Sequence, residues 1–507
     1  MNPLTIDCAP VSIADVVEVA RGGRPLALGS KATTAIESSR TIVDAIVESG
    51  EVVYGINTGF GKLADHRIAR DDLDTLQRHL VMSHAVGVGK PLSPPEVRAM
   101  ITLRVVALAR GYSGIRLSTV QALVGMLNVG VIPVIPERGS VGASGDLAPL
   151  AHLSLVLIGE GEAWYQGERL PGGEALRRSG LQPVCLTAKE GLALINGTQL
   201  MSALGVLLIP DAWNAAAVAD IAGAMTLDAV RGTDRPFDAR IQAVRPHPGQ
   251  IASAAHLRRL LEGSEILVSH RHDTHKVQDP YSLRCMPQVH GASRDTIAHA
   301  ERVFEIEINA ATDNPLVFPH GGDVISGGNF HGEPLAMALD FVAIGLTELA
   351  EISERRVEVM MDPVFSELPP FLTLNSGVDS GYMVSQYTAA SLVAENRVLS
   401  HPASVDSIPT SANQEDIVSM GVTSALKARR ALRNTETVLA IELLAAAEGI
   451  DLRRPLRTSP ALERVHALIR SEVPHLEEDR PLYRDIEKVS GMVRDGRIRA
   501  AAGVEGE

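Results

Sequence analysis

Beyond about residue 195 the apolar residues of this chain recur at steps of three and four, as in Leu335, Leu339, Val342, Leu346 and Leu349. That spacing lines one face of an α-helix. The stretch TETVLAIELLAAAEG, Thr435 to Gly449, is apolar almost all round, with a Thr suited to a helix start and a Gly suited to a helix stop. Such a helix offers water no polar face, so it has to be buried inside a bundle or between subunits. Aromatic residues make up 3 % of the 507 and hydrophobic residues 45 %, which leaves the packing to aliphatic and alanine side chains.

The expected class is therefore mainly α: a long-helix bundle over residues 196–507, joined to a smaller mixed α/β region over 1–195. In that first region PPEVRAMITLRVVALARG, Pro94 to Gly111, reads as a helix with Pro near its start and Gly at its stop. EVVYGINTGFG, Glu51 to Gly61, reads as a short β-branched strand ending in glycines. The small and charged residues from Gly496 onward are expected to fray.

A formal charge of −14 removes any basic footprint for a phosphate backbone, so nucleic acid is not an expected partner. The three cysteines, Cys8, Cys185 and Cys285, are far apart and odd in number, which suits a reducing cytoplasm better than a disulfide framework. No basic leader precedes a long apolar run, and stretches such as Ala203 to Ile209 are too short to span a bilayer, so no membrane association is expected. No His, Cys and Asp grouping has ligand spacing, and no metal is expected.

The chemistry concentrates in GSVGASGDLAPLAH, Gly139 to His152. A phosphate-binding loop would need a lysine where Asp146 stands, and a nucleophile elbow would need its second glycine one place later than Gly145. A third reading accounts for both neighbours of Ser144. If the chain bends tightly, the Gly145 nitrogen can attack the Ala143 carbonyl and close a five-membered ring. Loss of that water, and then of the Ser144 hydroxyl as a second, leaves an electrophilic methylene. The bland alternative is a turn in which Asp146 caps the following helix, and an isolated Ala-Ser-Gly does not decide between them.

The whole string resembles the signature of the aromatic amino acid ammonia-lyases, which form a methylidene-imidazolone (MIO) group autocatalytically from Ala-Ser-Gly. The resemblance extends through YGINTGFG from Tyr54, INGTQ from Ile195, QDPYSLRCMPQV from Gln278, TDNPLVF from Thr312, GGNFHG from Gly327 and HPASVDSIPTSANQED from His401. It implies a bundle of the fumarase and aspartase type, a homotetramer whose sites are completed by neighbouring chains, and a cofactor built from Ala143, Ser144 and Gly145. Ser83-His84 and Glu415 are similar to the branch of the family acting on histidine, since an imidazole and a carboxylate can both hydrogen-bond a substrate imidazole. The implied reaction is non-oxidative elimination of ammonia from L-histidine to give trans-urocanate. Lyases for tyrosine or phenylalanine and MIO-dependent aminomutases are the alternatives within the family; a silent assembly protein and a serine hydrolase lie outside it.

The resemblance also implies roles. Tyr54 would take the β-proton, Arg284 would clamp the substrate carboxylate with its planar fork, and His84 and Glu415 would orient the imidazole. Asn196, Gln278 and Tyr281 would hold the MIO oxygen and the amine, and Phe330 would form an apolar wall. Addition of the substrate amine to the electrophile is favoured over addition of the imidazole ring. Ile417 departs from the pattern beside Glu415, and Met286 occupies a variable slot.

Overall fold

A computed structural model describes residues 1–272 and 276–503. Among them are twenty-one α-helices and nine short strands, so the chain is mainly α as expected. It divides into two compact units, each discontinuous in sequence. One takes residues 1–207, 301–339 and 402–426, the other 208–300, 340–401 and 427–507.

All nine strands described fall in the first unit, in four small sheets of two or three strands. Its helices include α1 (Leu73–His84), α2 (Pro94–Ala109), α3 (Leu147–Leu157) and α4 (Glu190–Ile195). The start of α2 follows the expected signal, with a Ser93 and Glu96 capping box ahead of prolines at its first turn. Glu51 to Gly61 is a turn rather than the expected strand. The Asn57 side chain accepts from Val53 N–H at 2.9 Å and donates to the Glu51 carbonyl at 2.7 Å, which satisfies the backbone locally instead of in a ladder.

Four long helices pass from one unit into the other: α5 (Gln199–Ala229), α6 (Met286–Glu307), α7 (Glu333–Met361) and α8 (Gly421–Asp451). Thr435 and Gly449 lie inside α8 and do not bound it. The Thr435 hydroxyl donates to the Ala431 and Leu346 carbonyls, and a Cβ on Gly449 would lie 2.8 Å from that of Ala229. Both residues therefore serve close helix packing, and residues Val438 to Ile450 are buried within the chain itself. By length and composition α5 could cross a membrane, contrary to the short apolar stretches expected. Its most apolar window is 78 % buried, as in a core helix. Arg497–Ala502 forms a helix where fraying was expected, and residues 504–507 lie outside the described residues.

A buried ionic network ties the second unit together. The Asp220 carboxylate accepts from Ser253, His256, His290 and Arg294 at 2.7–2.9 Å. Burial opposes its charge, but Arg294 and the two imidazoles hold its carboxyl well below the ordinary range. Arg356 forks onto Glu442, which also accepts from Thr226 and Ser353. Every formal charge here has a hydrogen-bonded partner, the condition under which buried ions are tolerated.

In the first unit the equivalent anchor is Asp146. Its side chain does not cap α3, the helix it precedes. It accepts instead from the Leu200 and Met201 N–H groups at 2.9 and 3.0 Å, the free donors at the start of α5. Burial pushes its carboxyl up to about 7 against the pull of these donors and Ser140. Since a neutral acceptor can also serve two N–H groups, Asp146→Asn is expected to cost little. Asp146→Ala leaves both amides buried and unpaired and is expected to destabilise by about 2–4 kcal/mol. Urea unfolding midpoints of the two variants check this; equal midpoints for alanine and wild type would remove the anchoring role.

Candidate functional site

Residues 139–146 form a bend that packing forces. Gly142 and Gly145 both take positive φ, 74° and 73°, and pair with one another across the turn. A Cβ on Gly142 would lie 2.1 Å from Ser419 Oγ, and one on Gly145 would lie 2.2 Å from the Gly197 carbonyl oxygen. No L side chain fits either place. The Asp146 N–H donates to that Gly197 carbonyl at 2.7 Å, so the bend is pressed onto the link between α4 and α5.

Ser144 sits at the apex with two tethers. Asn196, just after α4, donates from Nδ2 to the Ser144 carbonyl oxygen at 3.0 Å. The Ser144 hydroxyl donates to Glu415 Oε1 at 3.0 Å, across 271 residues of sequence. Asn196 Oδ1 is buried without a partner. A tight bend closed by two glycines, with a fixed donor on the Ser144 carbonyl, fits the MIO group implied for Ala143, Ser144 and Gly145.

The bend opens on a cavity of about 760 Å³, lined wholly from the first unit. Tyr54, His84, Ser144, Asn196, Phe330 and Glu415 all face it, so six residues expected from sequence come together. The Tyr54 oxygen accepts from Gly61 N–H at 3.4 Å, and Lys62 lines the same wall. At the C-terminal end of α1, His84 Nδ1 lies 2.8 Å from the Leu80 carbonyl, which can only accept. Nδ1 therefore carries a proton. Burial holds the imidazole below its ordinary range, with the Glu415 charge opposing, so the ring is neutral near pH 7 and Nε2 is an acceptor.

Gln278, Tyr281 and Arg284 belong to the second unit and do not line this cavity. The Arg284 guanidinium stacks over the Tyr281 ring at 4.3 Å and donates to the Asp279 carbonyl at 3.1 Å, while Tyr281 is 70 % exposed. Ile417 is exposed and outside the cavity, with its carbonyl 3.3 Å from His331 Nε2. Met286 is buried at the start of α6.

Sequence reasoning missed two supports. Arg104, fully buried on α2, donates to the Asn196 carbonyl at 2.9 Å and to Gln199 Oε1 at 2.7 Å, and so fixes the link that carries Asn196. Thr410 donates to Glu415 Oε2 at 2.9 Å. Neither residue type signals chemistry by itself. Ser411, Ala412 and Asn413, between Thr410 and Glu415, all take positive φ, 50° to 65°. Such a run costs about 1–2 kcal/mol per residue and persists only where surrounding contacts enforce it. Among the described residues, Glu448, Asp451 and His475 of the second unit offer three ligand-type atoms within 4.8 Å of one another. Arg470 already bridges the two carboxylates at 2.9 and 2.7 Å.

With this geometry in view, the likeness to known proteins is informative. The family model for aromatic amino acid lyases matches residues 11–471. A histidine ammonia-lyase of Anaeromyxobacter sp. (strain K) is 58 % identical over 506 residues, covering 98 % of this chain and all of the relative. The crystal structure of a histidine ammonia-lyase from Trypanosoma cruzi matches with a TM-score of 0.91 at 46 % identity, covering 98 % of this chain and 94 % of that one. A tyrosine aminomutase from Streptomyces globisporus matches with a TM-score of 0.94 at 38 % identity, covering 100 % and 99 %. The chain belongs to the aromatic amino acid lyase family, and it is a carbon–nitrogen lyase built on that family's helical fold.

Proposed function

We propose that this lyase eliminates ammonia from L-histidine to give trans-urocanate, using an MIO group formed from Ala143, Ser144 and Gly145. The observation that carries the reading is the pair of acceptors, Glu415 and the neutral His84, facing one cavity beside Ser144. A substrate imidazole N–H can satisfy one of these acceptors, and both when the ring is protonated, whereas a phenyl ring satisfies neither. The histidine ammonia-lyase names of full-length relatives support the same substrate. A reducing cytoplasm is the compartment this reading favours.

The MIO group supplies an electrophile that makes the substrate amine a better leaving group. Asn196 polarises the Ser144 carbonyl oxygen that would become part of it, and Phe330 closes an apolar wall. Tyr54 is the proposed base for the β-proton, with the Gly61 N–H donating to its oxygen at 3.4 Å. Arg284 is the proposed carboxylate clamp, with Gln278 and Tyr281 beside it. Since these three do not line the cavity of their own chain, we assign them to the site of a neighbouring copy in a homotetramer. Phe341 and Ile344, 44 % and 38 % exposed on α7, are apolar surface available for such assembly.

Release of urocanate from L-histidine, followed by ultraviolet absorbance, tests the function; an inert protein would overturn it. Maturation is expected without another enzyme, so the intact mass should fall two waters below the calculated chain. Ser144→Ala should abolish both the mass loss and nearly all turnover, and an unmodified wild-type mass would refute the cyclisation.

Arg284→Lys keeps the charge but cannot make two parallel hydrogen bonds, and is expected to lower kcat/KM by about tenfold or more. Co-expression with Tyr54→Phe chains should restore activity above either variant alone if the two residues come from different copies. Wild-type kcat/KM in the lysine variant would end the clamp assignment.

For specificity, Glu415→Gln should preserve the mass loss while cutting histidine turnover by about one to two decades, the loss of one charge-assisted hydrogen bond. His84→Phe should move the ratio of kcat/KM values, histidine against tyrosine, toward tyrosine. An unchanged ratio in both variants would remove the histidine assignment and leave the lyase assignment standing.

A further inference from the structure

The proposed reaction needs one oxygen of Glu415 turned toward the substrate, yet Glu415 lies half-buried in a loop rather than on a helix or strand. Its two oxygens have different partners. Oε1 accepts from the Ser144 hydroxyl at 3.0 Å, and Oε2 accepts from the Thr410 hydroxyl at 2.9 Å. Backbone bonds join the same two residues in both directions, Thr410 N–H to the Glu415 carbonyl at 2.8 Å and Glu415 N–H to the Thr410 carbonyl at 3.3 Å. Between them lies the left-handed run Ser411, Ala412 and Asn413. Serine and alanine gain nothing locally from positive φ, so the closing pair has to impose it.

We propose that Thr410 is a positioning residue that holds the Glu415 carboxylate with Oε1 toward residue 144 and the cavity. This rests on the reading of Glu415 given above. Maturation removes the Ser144 hydroxyl as water, so the partner of Oε1 is lost while the partner of Oε2 stays. Thr410 is then the side-chain donor left to fix the carboxylate, and Oε1 is the oxygen released for an imidazole N–H. The left-handed turn contributes by bringing residues 410 and 415 face to face across four intervening residues.

The groups sharing the cavity with Glu415 are Tyr54, Lys62, His79 and His84, and Asp416 follows it in the chain. Any of these could touch the substrate, so the test isolates the part that runs through Glu415. Thr410→Val keeps the shape and removes the donor; Thr410→Ser restores the donor. Each is made in the full-length protein, in the wild-type and Glu415→Gln backgrounds, and maturation is read from intact mass.

Thr410→Val is expected to mature normally and to lose about 10- to 100-fold in kcat/KM for histidine, the size of a lost bond to a charged group. Thr410→Ser should stay within about threefold of wild type, and in the Glu415→Gln background Thr410→Val should cost less than about threefold. A valine variant with the wild-type rate overturns the proposal, and so do equal losses in both backgrounds or a serine variant as impaired as valine.

Crystal structures of wild type and Thr410→Val give a readout independent of turnover. The carboxylate should leave its place in the variant, and an unmoved Glu415 side chain overturns the proposal. A wild-type protein inert to histidine would overturn the assigned reaction, and the pair of crystal structures would still decide the role of Thr410.

Discussion

Two stretches of backbone cross at contact distance in the first unit, and the site exists because they do. Gly145 presses against Gly197 with no room for a Cβ, and the Asp146 N–H donates to the Gly197 carbonyl. The Asp146 carboxylate then takes two free N–H groups at the start of α5, so the bend is attached to the end of a 31-residue helix. A helix start supplies donors that would otherwise need water, and a bend held this way keeps its strained dihedrals after folding. The Asn196 donor and the Ser144 carbonyl meet because the same link between α4 and α5 carries both Asn196 and Gly197. Arg104 secures that link from beneath through the Asn196 carbonyl. The reactive tripeptide is therefore shaped by backbone proximity, and small residues at 142, 145 and 197 are its requirement.

Local signals in the sequence were readable where local physics decided the structure. Ser93, the prolines after it and Gly111 mark α2 at both ends, and the spacing of Leu335 to Leu349 identifies the buried face of α7. They failed where a distant partner took over a residue with a local meaning. Asp146 looks like a cap for the helix that follows it and caps a different one, 54 residues away. Thr435 and Gly449 look like helix ends and serve instead as places where other helices come close. At Tyr54 the competition was local but hidden, because the Asn57 side chain satisfies the backbone that a strand would have paired.

The same distinction applies to the site. Tyr54, His84, Ser144, Asn196, Phe330 and Glu415 were identifiable because their motifs resemble those of a known family, and the fold brings all six to one cavity. Thr410 and Arg104 were invisible for a physical reason. A threonine or an arginine acts on the site through one hydrogen bond to a neighbour, and no residue pattern encodes that bond before the chain is folded.

The cavity also has an internal polarity that bears on the proposed reaction. Its wall carries donors, with Asn196 Nδ2 on the Ser144 carbonyl and the Gly61 N–H on the Tyr54 oxygen. It also carries acceptors, in Glu415 and in the Nε2 of a His84 whose Nδ1 proton is committed to Leu80. On the proposed reading, the Asn196 donor stabilises negative charge on the Ser144 carbonyl oxygen, and the acceptors recognise an N–H of a substrate ring. A substrate with an apolar ring could use the donors equally well and would offer the acceptors no hydrogen. On that reading, discrimination between rings falls to Glu415 and His84, and the donors serve either ring. Asn196 and Glu415 meet at residue 144, where one holds the carbonyl oxygen and the other accepts from the hydroxyl, so ring recognition is set beside the bend itself.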